Sequence, residues 1–106
     1  MNAIYSQFAN DPDLGSIVVD YVERLLPERL AAVERSAADC DLETLQREVH
    51  RLKGSSACYG FAEVSECAGQ IERACLEEEQ FEELLRQTEA LLQLCQRVVA
   101  RPSRAE

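Results

Sequence analysis

The chain has 106 residues, 46% of them hydrophobic, enough for one buried core and too few for two. Without Trp and with only 4 Gly and 3 Pro, it lacks the turn residues that an all-β fold of many hairpins requires. A net charge of −9, from 20 acidic and 11 basic residues, repels nucleic acid and anionic membranes, so neither is an expected partner.

Along the chain, "AIYSQFA" near the start is a candidate for a short extra helix. Asp11-Pro12 then supplies a helix start, an acid at the cap followed by proline at the first helical position. From Leu14 through Ile17, Val18, Tyr21, Val22, Leu25, Leu30 and Val33 to Ala37, apolar residues recur every three or four positions, the helical period. Pro27 interrupts this stripe without shifting its phase, which predicts a kink in one long helix. Asp41 caps a second helix whose inner face is Leu42, Leu45, Val49, Leu52 and Ser56, with Gly60 as its left-handed terminator.

Phe61, Val64, Ala68, Ile71 and Cys75 mark a third helix. After "LEEEQ", a fourth carries Phe81, Leu84, Leu85, Leu91, Leu92, Cys95, Val98 and Val99. Pro102 closes it, and residues 102–106 are an expected flexible tail. The predicted fold is all-α: an antiparallel four-helix bundle in up-down-up-down order. One domain spans 1–106, with its core bundle at about 11–101.

No apolar run approaches the roughly 18 residues that cross a bilayer. The N-terminus has neither the basic start nor the apolar core of a secretion signal. The expected compartment is the cytoplasm. An odd count of 5 cysteines without a CxxC fits small buried hydrophobes and one or two exposed thiols, not disulfides or zinc.

The chain's one histidine lies in "VHRLKGSSACYG", residues 49–60. His50 falls off the buried stripe of its helix, on a flank shared with Gln46, Lys53, Gly54 and Ala57. An imidazole is a nucleophile near neutral pH. A nearby ammonium can offset the charge of a phosphoryl group placed on it. Arg47, Arg51 and Lys53 form a local basic collar, and Gly54 leaves helix surface bare beside the ring. Each feature also has an ordinary explanation. The histidine could be a plain surface residue and the lysine a solvated charge. Gly54 could serve close helix packing, and Ser55 and Ser56 could bond back to the helix backbone.

Taken together, "HRLKGSSACYG" resembles the signature of histidine-containing phosphotransfer (Hpt) domains. His50, Leu52, Lys53, Gly54, Ser55, Ser56 and Gly60 match in place, and the resemblance covers roughly residues 11 to 100. It implies a relay protein of a two-component system: His50 accepts a phosphoryl group from a receiver-domain phospho-aspartate and passes it to another receiver. Lys53 would steady the phosphoryl charge and Gly54 would clear the approach. The second and third helices would supply the docking face, with Gln70 or Arg73 at its edge.

Implied partners are response-regulator receiver domains and a hybrid sensor kinase. Any Mg²⁺ belongs to the receiver, and this chain carries no cofactor or metal of its own. A Walker-type phosphate loop and kinase motifs are absent from the sequence, so it is not read as an enzyme that phosphorylates itself from ATP. A monomer is expected, and the opening Met favours a free-standing protein. The alternative is a non-catalytic helical adaptor that binds a receiver without phosphorylation. A metal-binding bundle would want a Glu three residues before the histidine, where Arg47 stands.

Overall fold

The computed structural model describes residues 2–77 and 80–100. Its helices are α1 (Gly15–Asp20), a π-helical segment (Tyr21–Leu25), α2 (Leu26–Ala38), α3 (Leu42–Cys58), α4 (Ala62–Leu76) and α5 (Phe81–Cys95). The first three run together without leaving the helical region, so they form one long helix. The links at 39–41, 59–61 and 77–80 are short, which turns each helix back on the last. α3 packs between α2 and α4, and α5 closes the bundle against α4 and α2. The core is a continuous apolar cluster that includes Val33, Leu45, Leu52, Ile71, Leu84 and Leu91, each fully buried.

Asp11 does not cap the first helix as expected, nor is Pro12 its first residue: α-helical structure starts only at Gly15, behind Leu14. The Asp11 Oδ1 accepts from the amides of Asp13 (2.7 Å) and Leu14 (3.0 Å), holding 12–14 as a turn. Just before Pro27, where a kink is expected, the helix widens into the π segment, and the Leu26 amide reaches back to the Tyr21 carbonyl. Proline has no N–H to donate and its ring crowds the carbonyl one turn back; a wider π turn absorbs both problems. Ile17, although on the predicted stripe, is 46% exposed, and Leu85 on α5 is likewise exposed.

Two helix ends share one device. After α2, the Cys40 amide donates to Ala37 and the Asp41 amide to Ser36; after α3, Gly60 donates to Ala57 and Phe61 to Ser56. These are Schellman caps, which need a left-handed residue. Cys40 (φ 53°) and Gly60 (φ 85°) fill that place. Asp41 caps α3 as predicted, accepting from the Thr44 amide at 3.1 Å.

The segment "AIYSQFA" is not a helix. It is a strap that turns at residues 7–10: Ile4 is buried and bridges to Val98, with bonds to the Arg97 carbonyl (2.7 Å) and from the Val99 amide (3.0 Å). Val98 and Val99 consequently leave α5, which ends at Cys95. Ser6 Oγ donates to the Tyr59 carbonyl at 2.6 Å, and the Gln7 amide donates to Gly60 at 2.9 Å. The strap thus ties the end of α5 to the α3–α4 corner. The expected stop at Pro102 and the tail at 102–106 lie outside the described residues.

Candidate functional site

The site is built on the outer crease between α3 and α4. Leu45, Val49 and Leu52 are fully buried, which fixes the rotation of α3 and turns His50 outward. The imidazole side chain is 67% exposed. One turn on, Gly54 meets open space: a Cβ built there would have no neighbour within 4 Å. Close helix packing is therefore not what Gly54 serves.

Ser55 and Ser56 do more than bond to their own helix. Ser55 Oγ does donate to the Leu52 carbonyl at 3.2 Å. Both hydroxyls also meet the buried Tyr21 OH, at 2.9 and 3.1 Å. The Tyr21 ring stacks on Tyr59, with centroids 4.3 Å apart. The π segment that begins at Tyr21 thus places a phenol against the turn of α3 that follows the histidine.

The residue that completes the site is Glu72 of α4. Its Oε2 lies 2.6 Å from His50 Nδ1, and its Oε1 accepts from Lys53 Nζ at 3.2 Å. Its side chain is only 15% exposed. Burial works against its charge, but the hydrogen bonds and charges of His50 and Lys53 outweigh it and hold the carboxyl below the usual range. An ionised carboxylate can only accept, so the proton of this bond sits on Nδ1. The lone pair of a neutral ring is then on Nε2. That is the chemical content of the arrangement: a nucleophilic nitrogen at an exposed ring, its other nitrogen held by a carboxylate.

Lys53 comes to the ring through Glu72 and not directly. Its aliphatic stem crosses α4 at Gly69, where a Cβ would stand 3.5 Å from Lys53 Cδ. Ser65 Oγ donates to the Lys53 carbonyl at 2.9 Å, pinning the two helices one turn away. The basic collar is also weaker than the sequence suggests. Arg51 pairs with the buried Glu48 at 3.6 Å, and Lys53 pairs with Glu72.

Beside the ring, Glu43, Gln46, Arg47, His50 and Glu72 line an open groove of about 510 Å³. Gln70 and Arg73 flank Glu72 in sequence but line a separate cleft of about 630 Å³ between α4 and α5. That larger cleft holds neither His50 nor Glu72, both of which line the smaller groove. Sequence reasoning picked out Gln70 and Arg73 and missed Glu72. A signal was available: Ser65, Gly69 and Glu72 repeat at helical spacing along one face of α4.

With the exposed histidine, its lysine and the bundle in view, the comparison with known families is direct. The Hpt domain family model matches residues 18–101. The chain belongs to the Hpt domain family. Neither the curated proteins nor the solved structures include a match to it. Hpt domains are phosphotransfer modules of two-component signalling that work with receiver domains, and they are not kinases with an ATP site. Among the described residues no helix is long and apolar enough to cross a membrane. All five cysteines are free: Cys40 and Cys58 exposed, Cys75 and Cys95 buried, Cys67 between. Burial raises the Cys95 thiol to about 12, so it stays protonated.

Proposed function

We propose that this Hpt domain relays a phosphoryl group through His50 Nε2, from the phospho-aspartate of one receiver domain to the aspartate of another. The observation that carries the reading is the bond from His50 Nδ1 to Glu72 beneath a ring that is two-thirds exposed. It leaves one nitrogen free to attack and gives that nitrogen the lone pair. Transfer of this kind depends on placement and electrostatics more than on covalent help from the protein. A receiver brings Mg²⁺ and its acidic pocket, so this chain contributes the nucleophile, a lysine at its margin and an approach.

In the step itself the Nε2 lone pair forms the N–P bond while the aspartyl O–P bond breaks, its electrons leaving with the carboxylate. Lys53 can turn from Glu72 toward the arriving phosphoryl oxygens, since its ammonium is held only at the surface. Gly54 leaves the surface beside the ring open for the loops of the receiver. The helices beneath hold the ring at one orientation. The domain acts in the cytoplasm as a monomer, downstream of a hybrid sensor kinase.

The test is transfer of label from phosphorylated receivers to the chain and onward to a second receiver. Acid-labile label on residue 50, absent from His50→Gln, is the expected result. Receiver binding without label on the wild-type chain would overturn the relay and favour an adaptor.

A further inference from the structure

We propose that Glu72 keeps phosphorylated His50 in its protonated, transfer-ready form, and so sets how long the chain holds its phosphoryl group. The inference rests on His50 as the phosphoryl acceptor and concerns what happens after the N–P bond has formed.

When Nε2 attacks with its proton already on Nδ1, no proton has to leave. The ring becomes an imidazolium that carries phosphoryl on Nε2 and hydrogen on Nδ1. In the next transfer an aspartate oxygen attacks phosphorus, the N–P bond breaks and its electrons return to Nε2. From the imidazolium the leaving group is a neutral imidazole, which departs readily. If Nδ1 has lost its proton, the leaving group is an imidazolate, a far stronger base and a far poorer leaving group. The proton on Nδ1 therefore decides whether the phosphoryl group moves on or stays.

Glu72 is placed to hold that proton. Its Oε2 is 2.6 Å from Nδ1, and its side chain is sheltered from solvent while the ring is not. An opposite charge at such a distance favours the charged form of its partner. Among the described residues, the other charged groups around the ring come from α3: Glu43 and Arg47 in the groove, of opposite sign, and Lys53 on the second carboxylate oxygen. α4 contributes Glu72 alone to that groove. Lys53 takes a share of the carboxylate, and that share is released when the lysine turns to the phosphoryl oxygens. Phosphorylation thereby strengthens the hold of Glu72 on the imidazolium. A glutamine at this position could accept the same hydrogen bond but would bring no charge. Its amide could also turn and donate to a deprotonated Nδ1.

The experiment uses the full chain with ¹⁵N-labelled histidine, phosphorylated by phosphoramidate, a small donor that needs no receiver. The protonation of Nδ1 in phospho-His50 is followed by NMR against pH, in wild type and Glu72→Gln. In wild type the titration midpoint is expected at least about one pH unit above that of free phosphohistidine, and in Glu72→Gln back near it. One unit corresponds to about a tenfold change in the proton equilibrium. At pH 8 the phosphorylated variant should lose its phosphate roughly tenfold more slowly than wild type, and pass it to a receiver more slowly by a similar factor.

A wild-type midpoint no higher than that of free phosphohistidine would overturn the proposal, and this measurement needs no variant to fold. Equal midpoints in the two chains would overturn it as well. Uptake from phosphoramidate with no uptake from any receiver would sink the relay reading, while the titration would still decide the role of Glu72.

Discussion

Gly54 and Gly60 lie fewer than two helical turns apart in the same motif, yet their surroundings are opposite. Around Gly54 there is nothing within 4 Å of a Cβ, and its backbone is ordinary helix. At Gly60 a Cβ would stand 2.6 Å from Ser6 Oγ and 2.9 Å from the Phe8 ring, on a backbone at φ +85°. One glycine therefore keeps a surface clear for something outside the molecule. The other lets the chain turn from α3 into α4 and lets the N-terminal strap lie against it. The middle of α3 answers to partners and its end answers to the fold, so substitutions in the two regions should separate in what they damage.

The largest effect expected belongs to the open region. His50→Gln should abolish phosphoryl uptake from receivers while far-UV helicity and melting stay near wild type, because the ring is mostly solvated. A collapse of the fold in that variant would mean that the histidine is structural. At the corner, Gly60→Ala should cost about 2 kcal/mol, from a left-handed backbone and a displaced strap, seen as a Tm lower by roughly 8–16 °C. Phosphoryl uptake by the folded fraction should survive at low temperature.

Gly54→Gln sharpens the contrast, because two readouts should move in opposite directions. Transfer from receivers should slow by about tenfold or more as the side chain fills the approach, an effect of about 1.4 kcal/mol or more on the barrier. The melting temperature should rise slightly, since glycine in an open helix costs about 1 kcal/mol against good helix formers. Unchanged transfer would remove docking access as the reason for the glycine.

Tyr21→Phe tests whether the region between the two glycines is held from behind. The Ser56 hydroxyl is fully buried, and its hydrogen bond is to the Tyr21 OH. Losing that partner should cost about 1–2 kcal/mol, measured by denaturant unfolding. The smallest effect is that of acid on the crease. Glu72 has its carboxyl pKa lowered by folding, so its bonds to His50 and Lys53 contribute stability in full above the ordinary carboxylate value of 4.5. That contribution is lost as pH falls from there through the lower folded value. A melting temperature in Glu72→Gln that fell just as far as in wild type across this window would assign the acid sensitivity to other carboxylates.

The bundle was legible because burial imposes a period. Val49, Leu52 and Ser56 repeat at helical spacing, and all three are buried, which fixed where His50 must point. Asp41 and Gly60 were legible as caps because their conformations favour particular residue types. Local pattern failed where a distant segment competes for the backbone. "AIYSQFA" has apolar residues at helical spacing, yet Ile4 finds its partner at Val98, across the bundle. Proline announced a disturbance at residue 27; that it takes the form of a π segment beginning at Tyr21, which reaches Tyr59 and the Ser55 and Ser56 hydroxyls, is visible only in the folded chain.

The amino-acid order alone determined four helices, an outward imidazole, a lysine on its flank and bare backbone beside it. Periodicity and residue-specific backbone preference act over one or two turns and can be read from any single segment. Only the tertiary structure decided which residue of α4 faces the ring. That choice depends on how α3 and α4 are rotated and shifted against each other, with Gly69 admitting the Lys53 stem and Ser65 bonding to its carbonyl. Side chains that meet across a crease between helices are joined by packing, and packing has no period along the chain.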